Sequence, residues 1–244
     1  MKVENKALEL NPNTNLLVYA LMGVGVVTFL AGLFLNPQRV WFAFLLNHAL
    51  FLGLAVGAAF FLVVHYLASA GWNVAVRRVT ESFATYIFYA LGFNIVLFFG
   101  LSKIYPWTNH EFMAADHLLH AKIGYFSFGF YALRALMFFG IVSFIVYKFI
   151  NNSIAQDQEG GLERSNRQKP LAAMFLVLFA PLFTVYTVDL MKSLDPKWFS
   201  TIYGVYVFIG YAQASVAGVI IVIRQLQKSG YLKFVTADHY HDLG

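Results

Sequence analysis

Long apolar runs, separated by short polar stretches, constrain the fold of this chain more than any other feature. At a rise of about 1.5 Å per residue, a run of about twenty residues crosses a hydrocarbon core of roughly 30 Å. Only 12% of the 244 residues are charged, whereas about a quarter are charged in a soluble domain. The sequence therefore predicts an all-α integral membrane protein with about six transmembrane helices, at residues 16–35, 41–68, 83–104, 122–150, 171–191 and 198–227.

The connections between these predicted spans are polar. Residues 1–15 precede the first span, and the stretch 70–82 is interpreted as a surface-lying entry with arginines at the headgroups. Residues 103–121 form a connection rich in aromatic residues, and residues 151–170 mix both charge signs with glycine, as in a solvated loop. Residues 228–244 are interpreted as a cytoplasmic tail or as the lead-in to a further span.

The distribution of lysine and arginine predicts an orientation. One side of the predicted topology carries both termini and the 70–82 and 151–170 connections, and it holds eleven of the seventeen Lys and Arg residues. The other side, with the 103–121 and 192–197 connections, holds five, and Arg134 lies within a span. Because cytoplasmic loops are enriched in Lys and Arg, we predict that both termini are cytoplasmic.

Residue types restrict the cofactors that this chain can bind by itself. Cysteine is absent, which excludes disulfides, thiolate metal sites and cysteine-bound iron–sulfur clusters. His48 and His65 lie seventeen residues apart on one predicted helix, about 25 Å, so neither has an evident partner for axial ligation of haem. A proton path or a satisfied interfacial histidine is the favoured interpretation of His48.

A group of histidines and the net positive charge do not require a metal or nucleic-acid partner. His110, Asp116, His117 and His120 resemble a metal-binding pattern, but no further ligand at helical spacing supports it, and we predict no metal site. The net charge of +5 is explained by topology signals and anionic lipid, so lipids are predicted partners and nucleic acid is not.

Asp189 and Arg134 are charged residues inside predicted spans. A charge at such depth is costly unless it faces water, a partner or a substrate. Arg134 lies about twelve residues into its helix, roughly 18 Å, where it could pair with Asp189 or with Glu81. We predict that Arg134 and Asp189 belong to one polar cluster, which either only fixes helix packing or relays protons or holds a head group.

The last predicted span carries a polar stripe. Tyr203, Tyr206, Gly210, Gln213 and Ala217 recur at i, i+3, i+7, i+10 and i+14, which places them along one helical face. That face is a candidate groove, and the alternative is that these residues pack at an interface of small residues.

Three segments of the chain resemble a known family. They are AGWNVAVRRVTE (70–81), DHLLHAKIGYFSFGFYALR (116–134) and SLDPKWFSTIYGVYVFIG (193–210). They are similar to the NrfD-like, polysulfide-reductase membrane-subunit family, and more narrowly to its members in bacterial alternative complex III. The resemblance runs from about residue 16 to the C-terminus.

The resemblance implies a fold and a function. The fold would contain one four-helix bundle plus flanking helices, in a cofactor-free subunit of a quinol:electron-acceptor oxidoreductase of the bacterial inner membrane. The subunit would bind quinone or conduct protons beside a multihaem cytochrome with haem c, an iron–sulfur protein, a homologous NrfD-like subunit and a terminal oxidase. The polar family positions that this sequence retains are Asp116, Lys122, Tyr125, Arg134, Asp189 and Asp195.

The resemblance also predicts that the sequence is truncated, because family members continue into further spans after the sixth. Two other functions stay open at this point: a secondary transporter, whose alternating access would also use buried charges and glycine-bearing spans, and a structural membrane anchor for redox subunits.

Overall fold

The protein is built from helices. A computed structural model describes residues 12–161 and 163–244, and it is 84% helical, without a strand in the described part. Among the described residues, six helices are long and apolar enough to cross a membrane, which confirms the predicted all-α class and the predicted number of membrane-length helices. We label them α1 (Pro12–Leu35), α2 (Pro37–Ala68), α3 (Arg77–Phe98), α4 (Phe128–Glu159), α5 (Glu163–Leu190) and α6 (Tyr203–Lys228).

Short helical segments fill the connections between the long helices. Residues 1–11 of the predicted N-terminal segment lie outside the described residues. The predicted tail contains a short helix whose Leu243 is buried against the end of α6. The short segments are Gly71–Ala75, Leu101–Ile104, Pro106–Thr108, His110–Ala114, His117–His120, Lys192–Leu194 and Ala237–Leu243.

Local side-chain chemistry sets several helix ends. The Asn36 side chain accepts a hydrogen bond from the backbone N–H of Arg39, and Pro37 occupies the first turn, where a missing N–H costs nothing. The Ser127 hydroxyl accepts from the N–H of Phe130 and starts α4. Helix caps of this kind satisfy backbone donors that have no partner within the helix.

The prediction of a solvated loop at 151–170 is wrong. Helix α4 continues to Glu159 and α5 begins at Glu163, so the connection is reduced to a turn around Gly160 and Gly161. Both glycines have positive φ, 73° and 76°, a conformation that glycine adopts without a steric penalty. Several polar residues next to the turn, among them Gln156, Gln158 and Glu159, are good helix formers, so polarity marks the helix ends and not a long loop.

Other predicted boundaries also shift. The fourth span does not begin at Lys122, because residues 122–127 form turns before the Ser127 cap. Helix α3 begins at Arg77, so the arginines predicted in a surface-lying entry occupy its first turn, and it ends at Phe98. Helix α6 begins only at Tyr203.

Helix α2 is the centre of the packing, in contact with α1, α3, α5 and α6, while α4 packs against α5 and α3. Small residues allow the closest approach. A Cβ placed on Gly57 would lie 2.6 Å from the carbonyl oxygen of Tyr211 and 2.6 Å from Cβ of Ser215. The absence of a side chain at Gly57 therefore sets the α2–α6 distance, as expected for small residues in membrane helices.

Each long helix from α2 to α6 reverses the direction of the one before it. We define the upper end of the assembly as the end that carries residues 99–127 and 191–202, and the lower end as the end that carries residues 69–76 and 160–161. Aromatic side chains fill the core between the ends. The rings of Phe138 and Tyr186 stack at 4.4 Å.

Candidate functional site

Acidic and basic side chains are buried at only a few positions of the described residues. Arg134 and Asp189 lie toward the upper end with His48, whereas Arg77 and Glu81 lie at the lower end. Asn94 on α3 belongs to the upper group, because Tyr186 contacts both Asn94 and His48. Glu81 lies thirteen residues from Asn94 on the same helix, about 20 Å. Buried charge is therefore concentrated at the two ends of the molecule.

Arg134 and Asp189 form a bidentate ion pair. Arg134 Nε donates to Asp189 Oδ2 at 2.5 Å, and Nη2 donates to Oδ1 at 2.9 Å. Their side chains are 7% and 1% exposed. The expected pairing of Arg134 with Asp189 is confirmed. The alternative pairing with Glu81 is not made, because the close partner of Glu81 is Arg78.

Tyr125 covers this pair on the upper side. Its ring centroid lies 3.9 Å from the Arg134 guanidinium carbon, and its backbone carbonyl accepts a hydrogen bond from Arg134 Nη1 at 3.0 Å. Burial, followed by the charge of Asp189, raises the pKa of the Tyr125 phenol well above its usual range. The hydroxyl therefore stays protonated at neutral pH.

A cleft opens at the upper end beside this pair. Its volume is about 330 Å³, and Tyr125 and Val188 form part of its wall. Val188 precedes Asp189 in the sequence, so the cleft lies next to the ion pair. We call it the upper cleft. Its other lining residues combine amines, a carboxylate and aromatic rings: Lys122, Phe126, Lys192, Asp195, Trp198 and Phe199.

Two lysines project amines into this region. Lys122 Nζ donates to the carbonyl oxygen of Pro196 at 2.7 Å. Lys192 Nζ lies 5.2 Å from the ring centroid of Phe199, within the distance of a cation–π contact. The upper cleft thus offers ammonium donors beside apolar rings.

Asp195 lines the upper cleft, and Asp116 connects the loops that form it. Asp195 Oδ1 accepts from the backbone N–H groups of Lys197 and Trp198, at 3.0 and 3.3 Å. Asp116 Oδ1 caps the turn at Leu118, and its Oδ2 lies 2.6 Å from Lys197 Nζ. The hydrogen bond from Lys197 lowers the pKa of Asp116. Both carboxylates hold loops together.

His48 belongs to a buried polar network that sequence reasoning missed. The hydroxyl of Tyr186 donates to Asn94 Oδ1 at 2.8 Å and lies 3.3 Å from His48 Nε2. Because the tyrosine proton goes to Asn94, His48 Nε2 is the donor to the phenol oxygen. Tyr186 precedes Asp189 by three residues, a helical spacing that could have linked them.

The polar stripe on the last span faces outward from α6, so the groove stays a prediction. Tyr206 is 75% exposed, and Gln213 is also exposed, so their face points away from the other described helices. The face that packs instead contains Gly204, where a Cβ would lie 2.8 Å from Thr184 Oγ1. Only Tyr203 approaches the upper cleft, since its ring packs edge-on at 5.3 Å against Trp198.

Among the described residues, no group of three or more His, Asp or Glu side chains could hold a metal ion. No protein-family model matches the chain, and no curated protein sequence matches it at a significant level.

Proposed function

We propose that this chain is the quinone-binding membrane subunit of a respiratory quinol oxidoreductase of the alternative complex III type. The observation that carries the proposal is the upper cleft beside the Arg134–Asp189 pair. In this proposal the chain lies in a bacterial inner membrane, binds no redox cofactor of its own, and passes electrons through partner subunits with haem c and iron–sulfur clusters.

The chemistry of the upper cleft fits a quinone head group. A quinone ring is flat and apolar, and its two carbonyl oxygens accept hydrogen bonds. The cleft supplies rings from Trp198 and Phe199, ammonium donors from Lys122 and Lys192 and, at its wall, Tyr125. Its volume of about 330 Å³ falls at the lower end of the usual range for small-molecule sites, about 300–1,000 Å³.

The buried polar groups support proton exchange with the upper end and not a proton path across the chain. Asp189 and the Tyr186–His48–Asn94 network extend inward from the upper cleft. Below them, no acidic or basic side chain of the described residues is buried until Glu81 is reached. A series of polar side chains that extends only halfway across the helix bundle suits the release of protons from a bound quinol at one side of the membrane.

The transporter and anchor alternatives lack a comparable observation. A transporter would be expected to show paired, interrupted spans in two halves, whereas the aromatic core between the two ends of this bundle is densely packed. An anchor alone would not require a cleft beside a buried ion pair. The resemblance of the segments at 116–134 and 193–210 adds to the proposal because those segments build the upper cleft.

The test is quinol turnover by the assembled complex with cleft variants. Lys122→Gln is expected to raise the quinol KM by about tenfold or more, since a hydrogen bond to a charged group contributes about 1.5–3 kcal/mol. Tyr125→Phe is expected to raise it about two- to tenfold, since a hydrogen bond between neutral groups contributes about 0.5–1.5 kcal/mol. Lys103→Gln is the matched control, because Lys103 is exposed at the same end and lies outside the cleft. A parental KM in both cleft variants, with normal assembly, would contradict the proposal.

A further inference from the structure

A second cleft opens at the lower end, far from the proposed quinone site. It lies where α2 ends, α3 begins and the α4–α5 turn passes, and its volume is about 620 Å³. We call it the lower cleft. None of the residues proposed for quinone binding lines it. The lining residues that matter are Asn73, Arg77, Asp157 and Lys169.

Two of these residues are buried with polar atoms that make no hydrogen bond. They are Oδ1 of Asn73 and Nε of Arg77, which lies as far as 3.8 Å from Oε1 of Glu81. The two residues are 4% and 7% exposed. Since buried polar groups in proteins nearly always have a partner, these two groups beside one cleft point to a polar ligand.

Arg77 is incompletely paired because Arg78 takes its carboxylates. Arg78 contacts Glu81 at 2.5 Å and also pairs closely with Asp157. Arg77 reaches Asp157 only at 3.4 Å and Glu81 only at 3.8 Å. A buried guanidinium with long contacts can accept a further anion, and its planar fork suits phosphate oxygens.

The charge of the lower cleft suits a monoanion. Arg77 and Lys169 contribute two positive charges to its lining, and Asp157 contributes one negative charge. No hydrogen bond or ion pair of Lys169 occurs within the described residues. A phosphate dianion would be repelled by Asp157, whereas a phosphodiester carries a single negative charge and balances the lining.

We propose that the lower cleft binds the headgroup of an anionic phospholipid through its phosphodiester. Arg77 and Lys169 contact the phosphate oxygens, and the Asn73 carbonyl accepts from a headgroup hydroxyl. The positive-inside rule assigns this end to the cytoplasmic leaflet. Basic pockets between membrane helices at that depth are suited to anionic headgroups.

The experiment measures lipid binding to the purified full chain, or to the complex that contains it, by native mass spectrometry. Titrations use short-chain phosphatidylglycerol, short-chain phosphatidylcholine and inorganic phosphate. We expect phosphatidylglycerol to bind roughly tenfold more tightly than phosphatidylcholine, and phosphate not to compete. Lys169→Gln should weaken phosphatidylglycerol binding by about tenfold or more, as the loss of one charge-assisted hydrogen bond predicts.

Lys228→Gln is the matched control, because it removes the same charge at the same end but lies outside the cleft. Equal losses in Lys169→Gln and Lys228→Gln would overturn the proposal, as would equal binding of the two lipids. Binding of inorganic phosphate that depends on Lys169, without a preference for phosphatidylglycerol, would instead assign the cleft to free phosphate and overturn the lipid assignment.

Discussion

At the scale of single residues, the most expensive feature of the chain is the buried pair Arg134–Asp189. Insertion scales assign about 2.5–3.5 kcal/mol to such a residue at the centre of a membrane helix, and this is an upper bound here because Arg134 lies near the start of α4 and Asp189 near the end of α5. The bidentate geometry recovers part of that cost, and the rings of Tyr125 and Phe130, 3.9 and 4.4 Å from the guanidinium carbon, shield the pair from lipid. The remaining cost is explained if the pair also acts on a ligand in the upper cleft.

The first prediction separates the structural role of this pair from its functional role. Arg134→Gln should destabilise the protein by about 3–5 kcal/mol because it leaves Asp189 buried and unpaired. The double change with Asp189→Asn should cost less than the sum of the two single changes. Chemical unfolding in detergent measures this coupling, and Arg167→Gln, in an exposed ion pair with Glu163, is the control with little expected effect.

The functional half of this prediction is measured in the assembled complex. If the pair serves quinol oxidation, the double variant assembles but turns over quinol more slowly and releases protons at a lower rate. A double variant with the parental turnover and the parental proton release would leave the pair with a packing role alone.

At the scale of elements, close helix contacts at glycines organise the assembly. Gly53 and Gly57 on α2 face Tyr211 on α6, and a Cβ on Gly53 would lie 2.3 Å from the Tyr211 ring. At Gly57 the obstacle is the α6 backbone, which cannot move as a side chain can. The α2–α6 contact therefore depends on Gly57 more strictly than on Gly53.

The second prediction is a substitution at that contact. Gly57→Ala should force α6 away from α2 and destabilise the protein by about 1–3 kcal/mol, the usual cost of overpacking. Gly140→Ala on α4 is the control, since a Cβ there meets nothing within 4 Å, and alanine favours the helix by up to about 1 kcal/mol. Thermal unfolding of both variants gives the comparison, and equal midpoints would refute the packing argument.

The third prediction concerns the loops that wall the upper cleft. The Lys197 ammonium lowers the pKa of Asp116, so this contact stabilises the folded protein above the unfolded pKa of about 3.9. That stabilisation is lost as the pH falls through the lowered pKa of the folded state. Asp116→Asn should therefore be less stable than the parent at pH 7, with the difference disappearing at acidic pH.

Hydrogen exchange of the 110–127 segment, measured at pH 7 and at a pH below the lowered pKa of Asp116 in the folded protein, follows this contact directly. The parent should exchange more slowly than the variant only at pH 7. A difference that persists unchanged in acid would show that the Asp116 carboxylate does not act through its charge.

At the scale of the whole molecule, the sequence predicted the membrane-length helices because apolar length is a local property. It also predicted the Arg134–Asp189 pair, since few partners for a buried charge were available. Helix ends were less predictable: good helix formers extend α4 to Glu159 although they are polar. The face of α6 that packs against α2 is set by contacts such as Gly57 with Tyr211. The periodicity of the α6 sequence alone does not reveal such contacts.

The two clefts also could be predicted from the sequence only in part or not at all. Lys122, Tyr125 and Asp195 were singled out from sequence, but Lys192 and Trp198 joined them only through the folding of two connections onto each other. The lower cleft was not predicted at all, because its residues come from two stretches, 65–77 and 156–169, that are far apart in the sequence. Its signal is the set of unpartnered buried atoms, which exists only in the folded protein.

The last prediction is the orientation of the whole molecule, which places the upper cleft outside and the lower cleft in the cytoplasmic leaflet. Because the chain has no cysteine, Glu111→Cys and Gln158→Cys each introduce a single thiol, at exposed positions of the upper and lower ends. In intact cells, a membrane-impermeant maleimide should label the Glu111→Cys variant, and should label the Gln158→Cys variant only after permeabilisation. A permeable maleimide that labels both variants is the control for thiol reactivity. The reverse pattern would put the Lys- and Arg-rich lower end outside, against the positive-inside rule, and would require the quinol site to release its protons into the cytoplasm.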